Sequence, residues 1–68
     1  MTFHALDTVM LLKDLPQSGL QRGDLGAVVH VDGAETVEVE FVRVSGEIRA
    51  VVTLRTDEVR GMGADGWK

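Results

Sequence analysis

The chain has 68 residues, of which 44% are hydrophobic and 26% charged, with no cysteine and a formal net charge of -4. That length supports one small domain. The missing cysteines exclude disulfides and thiolate metal sites, and the acidic balance disfavours phosphate-backbone binding and anionic membrane surfaces. No apolar run approaches the roughly 18 residues of a transmembrane span. Met1-Thr2-Phe3-His4 lacks the basic and apolar regions of a signal peptide, so a cytoplasmic protein in a reducing compartment is expected.

The first predicted strand runs from Leu6 to Lys13, with Val9 and Leu11 inward and Met10 and Leu12 half exposed. Val9-Met10-Leu11-Leu12 is a continuous apolar run, and periodicity alone leaves helix and strand both open there. Asp14-Leu15-Pro16 ends either element, because proline lacks an amide donor and pushes its predecessor towards extended geometry. Residues Asp14 to Asp24 read as a long loop pinned by Leu15 and Leu20, with Gly19 and Gly23 at positive φ and the aspartates capping turns. Gly26 marks a bulge or a close strand approach.

The second predicted strand is Ala27 to Val31, with Ala27, Val29 and Val31 inward and Val28 and His30 outward. Asp32-Gly33 is a hairpin turn signal. Thr36 to Val42 alternates with a clean period of two, placing Val37, Val39 and Phe41 inside and Glu38 and Glu40 in water. After the Ser45-Gly46 turn, Ile48, Ala50, Val52 and Leu54 face in, while Arg49, Val51, Thr53 and Arg55 face out. Thr56-Asp57-Glu58 reads as a single turn capped by the Thr56 side chain. Val59 to Met62 is a short closing strand, and residues 63–68 form a flexible tail after a domain spanning 1–62.

Register follows from keeping apolar residues on one face. Opposing Val29 to Val39 puts His30 against Glu38 and Val28 against Glu40. Opposing Phe41 to Ile48 puts Glu40 against Arg49 and Glu38 against Val51. The predicted core is Leu6, Val9, Leu11, Leu15, Leu20, Leu25, Val29, Val31, Val37, Val39, Phe41, Ile48, Ala50, Val52, Leu54 and Val59. This pattern predicts an all-β fold: a five-stranded SH3-like barrel with a long loop after strand 1 and a 3₁₀ turn before the last strand.

Five segments together carry a family resemblance: Leu6-Asp7-Thr8-Val9, Asp14-Leu15-Pro16, Gly23-Asp24-Leu25-Gly26-Ala27-Val28-Val29-His30-Val31, Val39-Glu40-Phe41 and Ala50-Val51-Val52-Thr53-Leu54. They resemble the small bacterial domain-of-unknown-function family 4926, over Leu6 to Arg60. The resemblance implies an SH3-like barrel and brings no activity with it. The Gly-Asp-x-Gly-x-Val-Val core is also similar to the KOW segments of ribosomal proteins and elongation factors, and to the SH3-like part of nitrile hydratase β subunits. Those likenesses concern fold and turn chemistry, and fold does not imply function.

Chemistry-bearing clusters are sparse. His30 with Glu38 and Glu40 is the best constellation for a metal, but a stable zinc site needs three or four converging ligands; a solvated cross-strand pair is the reading preferred here. Ser18 and Ser45 have no base placed near them, as a nucleophile requires. Gly23-x-x-Gly26 lacks the Lys-Ser/Thr and the helix of a phosphate loop. Arg43, Arg49, Arg55 and Arg60 sit among acids, and exposed aromatic platforms for single-stranded nucleic acid are lacking. Catalytic residues, cofactors and metals are therefore not expected. The expectation is a non-enzymatic bacterial protein-interaction module. It binds a protein partner, such as a neighbouring gene's product masked in antitoxin or immunity fashion, or serves as an accessory subunit; self-association through an edge strand is a further form. Val28, His30, Glu38, Glu40, Arg49, Val51 and Trp67 are the candidate partner-binding residues. A KOW-like nucleic-acid or ribosome-associated module is the alternative.

Overall fold

The computed structural model describes residues 3–42 and 45–62. Five antiparallel strands, β1 (Thr8–Leu11), β2 (Leu25–Asp32), β3 (Thr36–Val42), β4 (Ile48–Arg55) and β5 (Val59–Gly61), form one sheet in the order β4-β3-β2-β1-β5. Short 3₁₀ turns occupy Pro16–Ser18 and Thr56–Glu58. The all-β, five-stranded plan matches expectation, with a long β1–β2 loop and a 3₁₀ turn before β5; β5 pairs with β1. Among the described residues β4 and β5 are not paired with each other, so the ladder stays open between them. The 9–12 ambiguity resolves to strand for Val9, Met10 and Leu11.

Strand alternation builds the core. Val37, Val39 and Phe41 of β3 are fully buried and meet Val9, Leu11, Leu15, Leu20, Leu54 and Val59 in one cluster. Each such side chain stabilises the fold by about 1.5–3 kcal/mol relative to exposure, the main resource of a chain without cross-links. The long loop contributes to this core through its own hydrogen bonds. Leu15 and Leu20 exchange backbone bonds of 2.9 and 3.1 Å, which turns both side chains inward, and Gly19 reverses the chain between them at φ +69°. The Asp14 and Asp24 carboxylates accept from the Arg22 and Gln21 amides at 2.9 Å, the turn-capping role their positions suggest.

Gly26 is buried where β2 crosses closest to β3. A Cβ there would lie 2.7 Å from Val39 Cγ1 and 2.9 Å from both the Glu40 carbonyl oxygen and Phe41 Cδ1. Close strand approach is thus the reason for this glycine.

Several expectations are corrected. The β2 register shifts between Val28 and His30, so Val28 pairs with Val39 while His30 still pairs with Glu38. The extra residue, Val29, is exposed, Val28 is fully buried and Ala27 turns outward opposite Glu40, inverting the expected facing of these three residues. A β-bulge has this effect because it adds one residue to a period of two. In the β3–β4 pair the register is displaced by two residues: Phe41 opposes Ala50, Glu40 opposes Val51 and Glu38 opposes Thr53. A shift of two preserves facing, so Ala50 and Val52 still pack on the core, but the expected Glu40–Arg49 pair is not formed. Ile48 lies past a second irregularity, beside Val42, and is exposed.

Leu6 and Leu25, expected inside, are exposed as well. Leu6 sits at φ +74° in a turn closed by Asp7 N to His4 O at 3.1 Å and His4 N to Asp7 Oδ2 at 2.9 Å, and that conformation points it away from the sheet. Phe3 is buried as well, in addition to the expected core. Finally, Glu58, not Thr56, caps the second 3₁₀ turn: its Oε1 accepts from the Arg55 amide at 2.9 Å.

Candidate interaction surface

The outward residues fall into rows set by the strand registers. The first row is Thr53, Glu38 and His30 across β4, β3 and β2. The second is Val51, Glu40, Ala27 and Thr8, extending onto β1. In the third, Val42 pairs with Ile48 and Leu25 pairs with Met10. Leu25 and Val42 are the next positions beyond the Gly26–Phe41 pair, so they meet and make this row apolar across four strands. Relative exposures of 53% for Leu25, 46% for Val42, 62% for Ile48 and 52% for Val51 show that this end of the face is uncovered. Glu40 and Glu38 border it, which gives an apolar patch with an acidic margin.

The sequence-derived residues are only partly gathered here. His30, Glu38, Glu40 and Val51 share the outer face, as expected. Val28 does not belong to it, because the β2 bulge buries it. Arg49 is turned away to the long loop, where Nη1 lies 3.3 Å from Asp24 Oδ2 and Nη2 donates to the Gly19 carbonyl. It acts as a latch between β4 and that loop. Trp67 lies outside the described residues. Leu25, Val42 and Ile48 are additional to the sequence-derived residues. Alternation along β3 already turns Val42 outward, whereas Leu25 and Ile48 become surface residues only once the registers are known.

A concavity lies at the opposite edge, lined by Phe3, Leu12, Thr56, Asp57, Val59, Arg60 and Gly61. Beside it, Glu58 is held by the Arg55 amide and by Lys13 Nζ at 3.1 Å. The backbone hydrogen bond first, and the Lys13 bond second, lower the Glu58 carboxyl pKa from its ordinary value. Among the described residues no three His, Asp or Glu side chains gather as a metal site, and no helix is long and apolar enough to cross a membrane.

A family described as a domain of unknown function, DUF4926, matches residues 5–61. The chain belongs to this family. The match spans all five strands of the DUF4926 domain, from the turn before β1 to the end of β5. No curated protein and no solved structure matches the chain.

Proposed function

We propose that this DUF4926 domain is a non-catalytic interaction module whose outer sheet face docks a protein partner. The observation carrying the reading is the contiguous uncovered row of Leu25, Val42 and Ile48, with Val51 beside it. Exposed apolar patches rimmed by polar residues mark interaction sites. The acidic margin of Glu38 and Glu40, on a chain of net charge -4, suits a partner with a basic rim around an apolar anchor. Nucleic acid fits this face less well: Arg49 and Arg55 are each paired with a carboxylate, Asp24 and Asp57.

The test is affinity capture at physiological salt with nuclease present, comparing the natural chain with the double variant Leu25→Glu/Ile48→Glu. A stoichiometric protein retained by the first and lost by the second supports the proposal. Retention by both, or recovery that disappears with nuclease, refutes it; the second outcome supports the KOW-like reading.

A further inference from the structure

Strand β4 is an edge of the sheet, and its hydrogen-bonding direction can be read residue by residue. Thr56 N donates to the Glu35 carbonyl at 2.9 Å, one position past the Thr36–Arg55 pair. Antiparallel ladders alternate between bonded and non-bonded pairs. Hence Ala50, Val52 and Leu54 turn their amides and carbonyls to β3, while Val51, Thr53 and Arg55 turn theirs to the open edge. The Arg55 amide confirms this direction, because it bonds the Glu58 carboxylate instead of β3. That cap ends the edge. Among the described residues, what remains is a window of two residues, Val51 and Thr53, each presenting one donor and one acceptor.

We propose that this window pairs with the same window of a second copy of this chain, antiparallel about a two-fold axis at Val52. Self-complementarity selects the register. With Val51 opposite Thr53 of the partner, four main-chain bonds form and all eight free groups are used. Placing Thr53 against itself would spend Val51 on the already capped Arg55, and placing Val51 against itself would spend Thr53 on Arg49. The chosen register sets Arg49 opposite the partner's Arg55, but both guanidiniums are neutralised within their own chain, by Asp24 at 3.3 Å and Asp57 at 3.4 Å. On the inner side Val52 meets its own copy, apolar against apolar. Two of the usual edge protections are missing, since β4 contains neither lysine nor proline, and its irregularity lies before Ala50, outside the window. This edge contact does not depend on the outer-face partner, although it would join two outer faces into one continuous sheet.

Four bonds over so short a window make a weak interface, with a dissociation constant on the order of 100 µM. Sedimentation equilibrium from about 10 µM to about 1 mM spans that value. The expected result is a mass rising from 7.4 kDa towards twice that figure. Thr53→Pro removes only an edge-facing amide, which an edge strand tolerates. It should weaken association at least about 10-fold through the lost donors, whereas Thr53→Val should not. Should the proline variant fail to fold, amide hydrogen exchange of the natural chain decides. Val51 and Thr53 amides gain protection with concentration if the edge pairs, while those of Ala50 and Val52 do not change. A mass constant at 7.4 kDa throughout, or a folded Thr53→Pro chain associating as the natural one does, overturns the proposal. Concentration-independent exchange at Val51 and Thr53 overturns it equally.

Discussion

Replacing Gly26 by alanine is the sharpest test of how β2 and β3 pack. The added Cβ would sit 2.7 Å from Val39 Cγ1 and 2.9 Å from Phe41 Cδ1, and both side chains are fully buried with no room to retreat. The third contact, 2.9 Å to the Glu40 carbonyl oxygen, is backbone and yields only if the strands separate. Overpacking of this kind costs about 1–3 kcal/mol. The glycine-to-alanine change itself stabilises by roughly 0.4–1 kcal/mol through the unfolded chain. The net loss is therefore about 1–2 kcal/mol, against a total of roughly 3–10 kcal/mol for a domain this small. Thermal unfolding by circular dichroism should show Tm lowered by about 5–15 °C. An alanine variant melting at or above the natural chain would refute the close approach, and with it the Gly26–Phe41 register.

The β2 bulge separates two neighbouring valines: Val28→Asp should prevent folding, since it buries a charge without a partner, while Val29→Asp should change stability by less than about 0.5 kcal/mol; denaturant titration of both variants checks this, and the reverse order would restore the unbulged strand. Leu6→Asn should raise stability by roughly 1 kcal/mol, because asparagine tolerates the left-handed conformation at φ +74° that costs leucine energy, and a lower Tm would contradict the turn. Glu58→Gln should cost about 0.5–1 kcal/mol near neutral pH by removing the charge from the cap and from the Lys13 contact. The folded-state pKa of Glu58 lies below the ordinary value of 4.5, so its contribution is complete above the unfolded value and disappears as pH falls through the folded one. The Tm difference between the two chains should accordingly be constant above about pH 5 and shrink in acid; a difference that grows in acid would contradict the cap.

Where local signals and tertiary packing agreed, the sequence was sufficient. The alternation of Thr36 to Val42 placed Val37, Val39 and Phe41 correctly, because a half-buried central strand has a strict period of two. Gly19, Gly23 and Gly33 announced their turns for the reason that only glycine is at ease at their positive φ. The loop leucines were legible because Leu15 and Leu20 are the apolar residues of an otherwise polar stretch.

The surface was harder to read. A bulge leaves no mark on a run such as Ala27-Val28-Val29, where either valine can fill the core, and unbroken alternation puts Val28 outside and Val29 inside. The β3–β4 register depends on how the chain turns between Phe41 and Ile48, and a displacement of two residues preserves facing while exchanging every cross-strand neighbour. This exchange removed Arg49 from Glu40 and gave it to Asp24. The candidate surface was consequently half visible: its acidic margin and Val42 follow from alternation, and the rest of its apolar row follows only from pairing.

The outer-face reading is tested most directly by amide chemical-shift mapping of the labelled domain bound to the partner that affinity capture recovers. The expected footprint is Leu25, Ala27, Glu40, Val42, Ile48 and Val51, contiguous across β2, β3 and β4. A footprint instead on Leu12, Val59, Arg60 and Gly61, at the opposite groove, would contradict it.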